Sequence, residues 1–177
     1  IRAAVGYAAS LHGKDTKLRS WYWCGVLGEL YGGAIETRFA RDLEQVVAWL
    51  DGGAEPGTVR EAAFLDARLL TLRTRNSAAY KGIYALLMRD GCKDWMKNHA
   101  LDMAAFFNHK IDIHHIFPKK WCGDHGIDPV RRESIVNKTA LSRETNIRIG
   151  GRSPAVYVKT VETSAGIAPA ALDEILR

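Results

Sequence analysis

Four apolar stripes at helical spacing dominate the chain before residue 110, and three of them end at a glycine. Apolar residues three and four positions apart cover one face of a helix, and glycine is a common helix end. Such stripes are typical of helices that bury one face in a core, not of a cofactor motif. They predict a mainly α fold. The stripes occupy residues 23–31, 39–50, 65–72 and 80–88.

The residue pattern changes at Lys110. Apart from Asp112, residues 111–117 are β-branched, histidine and aromatic residues, and the run ends at Pro118, which predicts a short strand. Residues 134–141 predict a second short strand with a turn in or beside it. Between them, Gly123, Gly126 and Pro129 indicate a loop.

Helix signals return after the second predicted strand. Ser142 is a suitable N-cap for a short helix over 143–149, which Gly150 would end. Pro154 and Pro169 stand where two further helices would begin. We therefore expect three parts: a helical region over 1–109, an inserted strand–strand–helix finger over 110–150, and C-terminal helices of the same domain over 151–177.

The composition excludes several classes of protein. The chain has 177 residues, of which 47% are hydrophobic, so it is neither disordered nor collagen-like. Its three cysteines form no C-x-x-C pair, which argues against a cysteine-rich zinc site and favours a reducing compartment; we predict the cytoplasm. No apolar run approaches the roughly 20 residues of a membrane span. The chain opens with Ile1 inside a helical pattern, so we expect a piece of a longer protein.

The positive charge is concentrated in one window. The formal net charge is +5, and residues 110–159 hold ten Lys and Arg against five Asp and Glu. The remainder of the chain is balanced, with 15 residues of each sign. A local basic field attracts phosphate backbones, although an excess of this size is also compatible with an ordinary solvated surface.

A cluster of histidines lies inside the basic window. His114 and His115 are adjacent, and Asp112 lies two residues earlier, on the same strand face as His114. Histidine serves as a metal ligand when neutral and as a general base near neutral pH. A structural histidine cluster is the simpler alternative. Because His115 points to the opposite strand face, a shared site requires the strand to end or twist there.

Two asparagines complete the set of candidate residues. Asn137 lies in the second predicted strand and Asn146 on the short helix, one turn after Ser142. Asparagine is usually a turn or cap residue. Packing of a hairpin on this helix could bring Asn146 opposite His114, where an amide oxygen and an imidazole or carboxylate would leave metal positions open for water and phosphate.

These residues resemble the HNH nuclease motif, the ββα-metal finger. The similar stretches are Asp-Ile-His-His-Ile-Phe-Pro at 112–118 and Asn-Lys-Thr-Ala-Leu-Ser-Arg-Glu-Thr-Asn at 137–146. The wider chain is similar to the C-terminal nuclease domain of GmrSD-type restriction proteins at residues 21–33, 81–87 and 148–157. That group includes enzymes that attack modified phage DNA, and its members carry an N-terminal ParB-like nucleotidase domain, which would be the missing partner of this chain.

The resemblance implies a role for each matching residue. It makes His115 the general base, Asn137 the residue that shapes the hairpin at the catalytic site, and His114 and Asn146 ligands of one divalent metal ion. The resemblance implies Mg²⁺ or Mn²⁺ as the ion. Many relatives have Asp or Glu at the place of His114, so this site is less anionic than theirs, and Ni²⁺ or Zn²⁺ is possible because imidazole suits them. Asp112 could compensate as a ligand or orient His114. Six residues are candidates for binding DNA phosphates: Lys119, Lys120, Arg131, Arg132, Arg143 and Arg152.

The resemblance therefore implies a metal-dependent DNA endonuclease that leaves a 5′-phosphate and a 3′-hydroxyl. Two alternatives stay open at this point. One is a finger that binds DNA without cutting it, and the other is a helical interaction domain with a structural histidine cluster.

Overall fold

The computed structural model describes residues 14–101 and 111–176. The described part is mainly helical, as the sequence predicts, with one two-stranded antiparallel sheet. Lys110 and His109 lie outside the described residues. No helix in the two described ranges is both long enough and apolar enough to span a membrane.

Of the four apolar stripes, those at 39–50 and 80–88 lie entirely within observed helices, whereas the helix of the stripe at 23–31 already ends at Leu27. The stripe at 65–72 forms only five helical residues, because Leu65 is 71% exposed and Leu72 leaves the helix in an extended conformation. The helices are α1 (Asp15–Leu27), α2 (Ile35–Leu50), α3 (Gly57–Glu61), α4 (Ala67–Thr71) and α5 (Ala78–Arg89).

The second half alternates short helices with the two strands. Its elements are β1 (Ile111–His115), α6 (Lys119–Asp124), α7 (Pro129–Glu133), a 3₁₀ turn (Ile135–Asn137), β2 (Lys138–Ser142), α8 (Arg143–Ile149), α9 (Pro154–Ala165) and α10 (Pro169–Leu176).

The chain divides into two compact units. Of the described residues, the first unit contains 14–65 and Asn76–Gly82, and the second contains Asp66–Arg75, 83–101 and 111–176. The division therefore falls within the helical region, not at residue 110.

The first unit surrounds a buried carboxylate. Asp42 on α2 is 1% exposed and accepts hydrogen bonds from Trp21 Nε1 at 3.1 Å, from Thr58 Oγ1 at 2.7 Å and from the Tyr31 hydroxyl. Buried polar groups are tolerated only when they are hydrogen-bonded, so these bonds compensate the burial of Asp42. The three partners connect α1, the segment after it and α3 to α2.

The second unit holds the sheet on an apolar core. β1 and β2 are antiparallel, and their register pairs Ile111 with Ser142 and His115 with Lys138. Helix α8 packs against both strands. The core beneath them consists of Trp95, Met96, Leu141, Ile149, Tyr157, Val161, Ile167 and Leu172.

Local signals explain where these elements begin and end. The Ser142 hydroxyl accepts a hydrogen bond from Thr145 N and caps α8, and Gly150 ends that helix with a φ of 61°. Pro154 opens α9, which ends at Gly166 in the left-handed conformation. The predicted bounds of α8 and the predicted start of α9 are confirmed.

Two predictions for residues 111–141 need correction. The first strand ends at His115, not Phe117, because the Asn137 amide hydrogen-bonds the backbone of Phe117 and turns the chain there. The predicted loop contains α6 and α7, which are too short to show a periodic apolar pattern. Asp128 caps α7 by accepting a hydrogen bond from Val130 N.

Candidate active site

Asp112, His114 and Asn146 form one hydrogen-bonded group. Alternation along β1 places Asp112 and His114 on the same face, and α8 brings Asn146 to that face. The Asn146 amide lies between them: its Oδ1 accepts from His114 Nδ1 at 2.6 Å, and its Nδ2 donates to Asp112 Oδ2 at 3.0 Å. Asn146 is thus within hydrogen-bonding distance of both other sequence-predicted metal ligands.

His114 is held in an aromatic environment. Its side chain packs edge-on against Trp95 and Tyr157, with ring centroids 6.1 and 6.0 Å away, and the residue is 6% exposed. This burial, aided by the nearby charge of His115, lowers the pKa of His114 below its ordinary value despite the opposing hydrogen bond to Asn146. Nε2 is buried and has no hydrogen-bond partner within the described residues. His114 is therefore neutral at pH 7, the form in which imidazole binds metals.

His115 points to the other face of β1 and contacts a carboxylate that the sequence analysis did not select. Its Nε2 lies 3.1 Å from Glu133 Oε2, at the end of α7. The side chain is 21% exposed. Burial lowers the pKa of His115 and outweighs the raising effect of Glu133, so a neutral ring predominates at pH 7.

Glu133 is the centre of an ion-pair network. Its Oε1 lies 3.2 Å from Lys119 Nζ and 3.1 Å from Arg132 Nε. Burial raises the pKa of this carboxyl, but the hydrogen bonds from His115 and Lys119 exceed that effect and lower the pKa to about 2. Because an ionised carboxylate only accepts hydrogen bonds, His115 Nε2 carries the hydrogen. Nδ1 is then the nitrogen that can take a proton.

Further cations surround this pair. Lys138, opposite His115 in the sheet register, has a side chain only 9% exposed, and its Nζ lies 3.9 Å from Glu133 Oε2. Burial lowers the pKa of Lys138, and the positive charges of Arg75, Lys119 and Arg73 lower it further, against the effect of Glu133. The surroundings of His115 are therefore electropositive.

The Asn137 side chain hydrogen-bonds backbone groups around the site. Its Oδ1 accepts from Phe117 N at 2.8 Å, and its Nδ2 donates to the carbonyls of Phe117 and Arg132 at 3.0 and 2.9 Å. These bonds fix the turn after β1 to the end of α7, which connects the segments that carry His115 and Glu133. We assign Asn137 a positioning role, as the hairpin-shaping expectation implies, because its amide is committed to backbone groups.

The six predicted phosphate-binding residues have different surroundings. Lys119 and Arg132 pair with Glu133 beside His115, as described above. Arg152 donates to the carbonyls of Ile149 and Arg148 and so closes the end of α8. The remaining three are exposed: Lys120, Arg131 and Arg143.

The predicted catalytic base and the predicted ligands thus belong to two groups on opposite faces of β1. No hydrogen bond links His115 to Asp112, His114 or Asn146 in the described part of the chain. The two histidines do interact electrostatically, since the charge of His115 lowers the pKa of His114. The strand ends at His115, as a shared site requires.

The ligand group suits one divalent cation by the chemistry of its donors. The imidazole is a donor that suits Mn²⁺, Ni²⁺ or Zn²⁺, and the carboxylate and amide oxygens are donors that suit Mg²⁺. The described residues contain no group of three His, Cys, Asp or Glu side chains arranged to hold a metal ion. The proposed set therefore depends on the amide of Asn146.

Four residues near His115 or its neighbour Lys138 are difficult to select from the sequence. Glu133 is one acid in a basic window, and Lys138 is selected only when the strand register is known. Arg73 and Arg75 come from the segment around α4, which is joined to the 3₁₀ turn by the hydrogen bond from Ile135 N to Leu72 O at 2.8 Å.

Comparison with known proteins gives one relative and no family. The chain is 31% identical over 148 residues to the uncharacterized protein MJ0686 of the archaeon Methanocaldococcus jannaschii. The match covers 81% of this chain and 25% of the relative, so the chain corresponds to about a quarter of that protein's length. No family model matches the chain, and no solved structure matches it.

Proposed function

We propose that this chain is an HNH-type endonuclease domain that hydrolyses DNA phosphodiester bonds with the help of one divalent metal ion. The observation that carries the proposal is the Asp112–His114–Asn146 group on a strand–strand–helix unit. It lies on the same strand as a histidine whose Nε2 is fixed by a carboxylate. The motif, its spacing and this arrangement all agree with a ββα-metal finger.

His115 acts as the general base. With Nε2 donating to ionised Glu133, Nδ1 accepts a proton from water as the water oxygen attacks phosphorus. The bond from phosphorus to the 3′ oxygen breaks, and the leaving oxygen takes a proton from solvent. The products are a 5′-phosphate and a 3′-hydroxyl. Glu133 orients the ring and stabilises the imidazolium that forms.

Cations beside His115 hold the phosphate. Lys119 and Lys138 lie within 4 Å of Glu133, and Arg131 and Lys120 are exposed on the adjoining short helices. One carboxylate among several cations leaves net positive charge for a phosphodiester. Such contacts position the DNA backbone without reading its sequence.

Asp112, His114 and Asn146 are the residues that would hold the metal ion. When bound, a divalent ion supplies Lewis-acid stabilisation of charge on phosphate oxygens. The aromatic packing of His114 against Trp95 and Tyr157 keeps its ring orientation fixed for that purpose.

The domain is proposed to be the effector part of a longer bacterial anti-phage restriction protein that acts in the cytoplasm. The missing part would be a ParB-like nucleotidase domain preceding it. The resemblance to GmrSD-type proteins supports this assignment.

A plasmid assay tests the function. Supercoiled plasmid is incubated with the chain and Mg²⁺ or Mn²⁺, with EDTA as the control, and the ends of the product are mapped. We expect metal-dependent nicked or linear DNA with 5′-phosphate ends. Intact plasmid in both metals, together with retarded migration of the complex, would instead identify a binding module.

One observation favours a non-cleaving DNA-binding module as the second candidate. His114 and Asn146 are hydrogen-bonded to each other, and His115 belongs to an ion-pair network. Both histidines therefore have structural partners without a metal ion. This candidate predicts salt-dependent DNA binding with no cleavage in any metal.

A further inference from the structure

An open apolar pocket of about 300 Å³ lies in the connection between β1 and β2. Its walls come from the turn after β1, from α6 and α7, and from the 3₁₀ turn. The volume is at the lower end of the range for small-ligand pockets. The lining residues are Phe117, Trp121, Cys122, Ile127, Arg131, Arg132, Val136 and Asn137.

The pocket presents aromatic rings. Phe117 and Trp121 have centroids 5.0 Å apart, with their planes tilted by 40°. His125 stacks on Trp121 at 3.9 Å and is not among the residues that line the pocket. A flat ring that entered the pocket would extend this series of stacked rings.

The apolar walls are unusually open to solvent. Phe117 is 42% exposed, Val136 is 50% exposed and Ile127 is 37% exposed. Grouped apolar side chains at the surface commonly mark a binding site. Single exposed apolar residues, such as Ile147 on α8, do not carry that meaning.

Two arginines belong to the same pocket. Arg131 and Arg132 are among its lining residues, and Arg132 also pairs with Glu133 at 3.1 Å. An apolar cavity with two cationic residues in its wall complements a ligand that has both a flat ring and a phosphate. A nucleotide has this combination, whereas an aromatic peptide side chain lacks the anion.

Residues that line the pocket are neighbours in the chain of the residues of the proposed active site. Phe117 is two residues after His115, Asn137 fixes its backbone, and Arg132 precedes Glu133, the partner of His115. A ring in this pocket would therefore belong to a nucleotide close to the phosphate at His115.

We propose that the pocket binds one unstacked nucleobase of the DNA strand, stacked against Phe117 and Trp121 with its backbone phosphate near Arg131. This inference rests on the proposed DNA substrate. The segment between β1 and β2 would then position the DNA strand. It would do so by contact with the flat face of a base, without reading the sequence.

The test compares two duplexes that differ in one extrahelical nucleotide. One carries a single-nucleotide bulge with 2-aminopurine, and the other carries an abasic analogue at the same place. Affinities are measured by fluorescence anisotropy in EDTA, where no metal supports cleavage. Stacking of one base contributes about 1–3 kcal/mol, so we expect the wild type to prefer the base by about fivefold or more. The 2-aminopurine emission should fall on binding.

Phe117→Ala should remove most of this preference while leaving salt-dependent binding. Val136→Trp, which fills the pocket without removing an aromatic wall, should have the same effect and covers the case in which Phe117→Ala fails to fold. Ile147→Ala, an exposed apolar residue of the same unit, is the matched control and should keep the wild-type preference.

Equal wild-type affinity for both duplexes would overturn the pocket assignment, even if plasmid nicking and salt-dependent binding are normal. A preference that Val136→Trp leaves unchanged would overturn it as well. Absence of nicking with the base preference intact would contradict the proposed function alone, because the binding experiment needs no cleavage.

Discussion

Asn137 and Asn146 are the same residue type with different surroundings. The Asn137 amide bonds three backbone groups of the turn after β1 and the end of α7, whereas the Asn146 amide bonds the side chains of His114 and Asp112. The resemblance implies different roles for them, hairpin shaping for Asn137 and metal binding for Asn146. The register of β2 and the packing of α8 show that the Asn146 amide is the one that faces His114.

We predict that substitution of Asn137 changes mainly stability and that substitution of Asn146 changes mainly metal binding. Asn137→Ala should lower the free energy of unfolding by about 3 kcal/mol, because backbone groups of Phe117 and Arg132 lose their partners. Asn146→Ala should leave stability closer to wild type and weaken Mn²⁺ binding. Urea unfolding and calorimetric titration with Mn²⁺ measure the two effects. Wild-type Mn²⁺ binding by Asn146→Ala would show that this residue is not a ligand.

Glu133 shows the limit of residue-level prediction. In the sequence it is one of five acids in a basic window, and nothing in its neighbours indicates that it faces His115. The structure makes it the shared partner of His115, Lys119, Arg132 and Lys138.

The stability supplied by Glu133 should depend on pH. Its folded-state pKa is about 2, below the ordinary value of 4.5, so the unfolded chain binds more protons as the pH falls between these values. The contribution is therefore complete above about pH 4.5 and lost as the pH falls to about 2. We predict that wild type exceeds Glu133→Gln in unfolding free energy at pH 6, and that the difference shrinks toward pH 2.

Chemical denaturation across this pH range provides the measurement. Asp124→Asn removes an exposed carboxylate of the same unit and controls for the change in net charge. A difference between wild type and Glu133→Gln that stays constant down to pH 2 would contradict the assigned ion-pair network.

At the scale of helices and strands, the capping residues gave the most accurate predictions of where helices begin and end. Ser142 and Gly150 set the bounds of α8, and Pro154 sets the start of α9, because their effects are local. The stripe at 65–72 predicted less well, since its burial depends on partners elsewhere in the chain. α6 and α7 were missed because helices of five or six residues do not complete a periodic pattern.

A buried carboxylate secures the start of α8. Asp94 is 1% exposed and accepts hydrogen bonds from Ser142 N at 2.8 Å and Thr145 Oγ1 at 2.6 Å. Burial raises the pKa of Asp94, but the hydrogen bonds outweigh it and keep the pKa below its ordinary value. This residue connects the segment before β1 to the helix that carries Asn146.

We predict that Asp94→Asn destabilises the second unit by about 3 kcal/mol, because hydrogen bonds to a charged acceptor are lost and an amide N–H₂ faces other donors. Urea unfolding monitored by tryptophan fluorescence measures the change. The control is Asp90→Asn, whose carboxylate is exposed and pairs with Arg89. Equal stability of the two variants would mean that Asp94 does not anchor α8.

At the scale of the whole molecule, the excess positive charge of the sequence window lies in one of the two compact units. The basic excess predicted for residues 110–159 falls in the second unit, which also contains Arg73 and Arg75. The sequence alone locates the basic window. It does not show that Arg73 and Arg75 add to the same positive charge, because only folding of the chain brings them near Lys138.

We predict that DNA affinity falls steeply with salt. If about three phosphates are neutralised, log affinity should fall against log salt with a slope of roughly −3. Arg131→Glu should flatten this slope, and Arg60→Glu in the first unit, also exposed, should not. Anisotropy titrations at several salt concentrations measure it. Equal effects of the two reversals would show that the basic window is an ordinary solvated surface.

The central claim is that His115 is the base of a DNA-cutting site. Its most direct test is the rate at which His115→Ala nicks supercoiled plasmid in Mn²⁺, beside His99→Ala, an exposed histidine of the same unit. A positioned base contributes about 10²–10⁴-fold. We predict a loss of that size for His115→Ala, with folding and DNA affinity retained, and a wild-type rate for His99→Ala. Undiminished nicking by purified, folded His115→Ala would contradict the account.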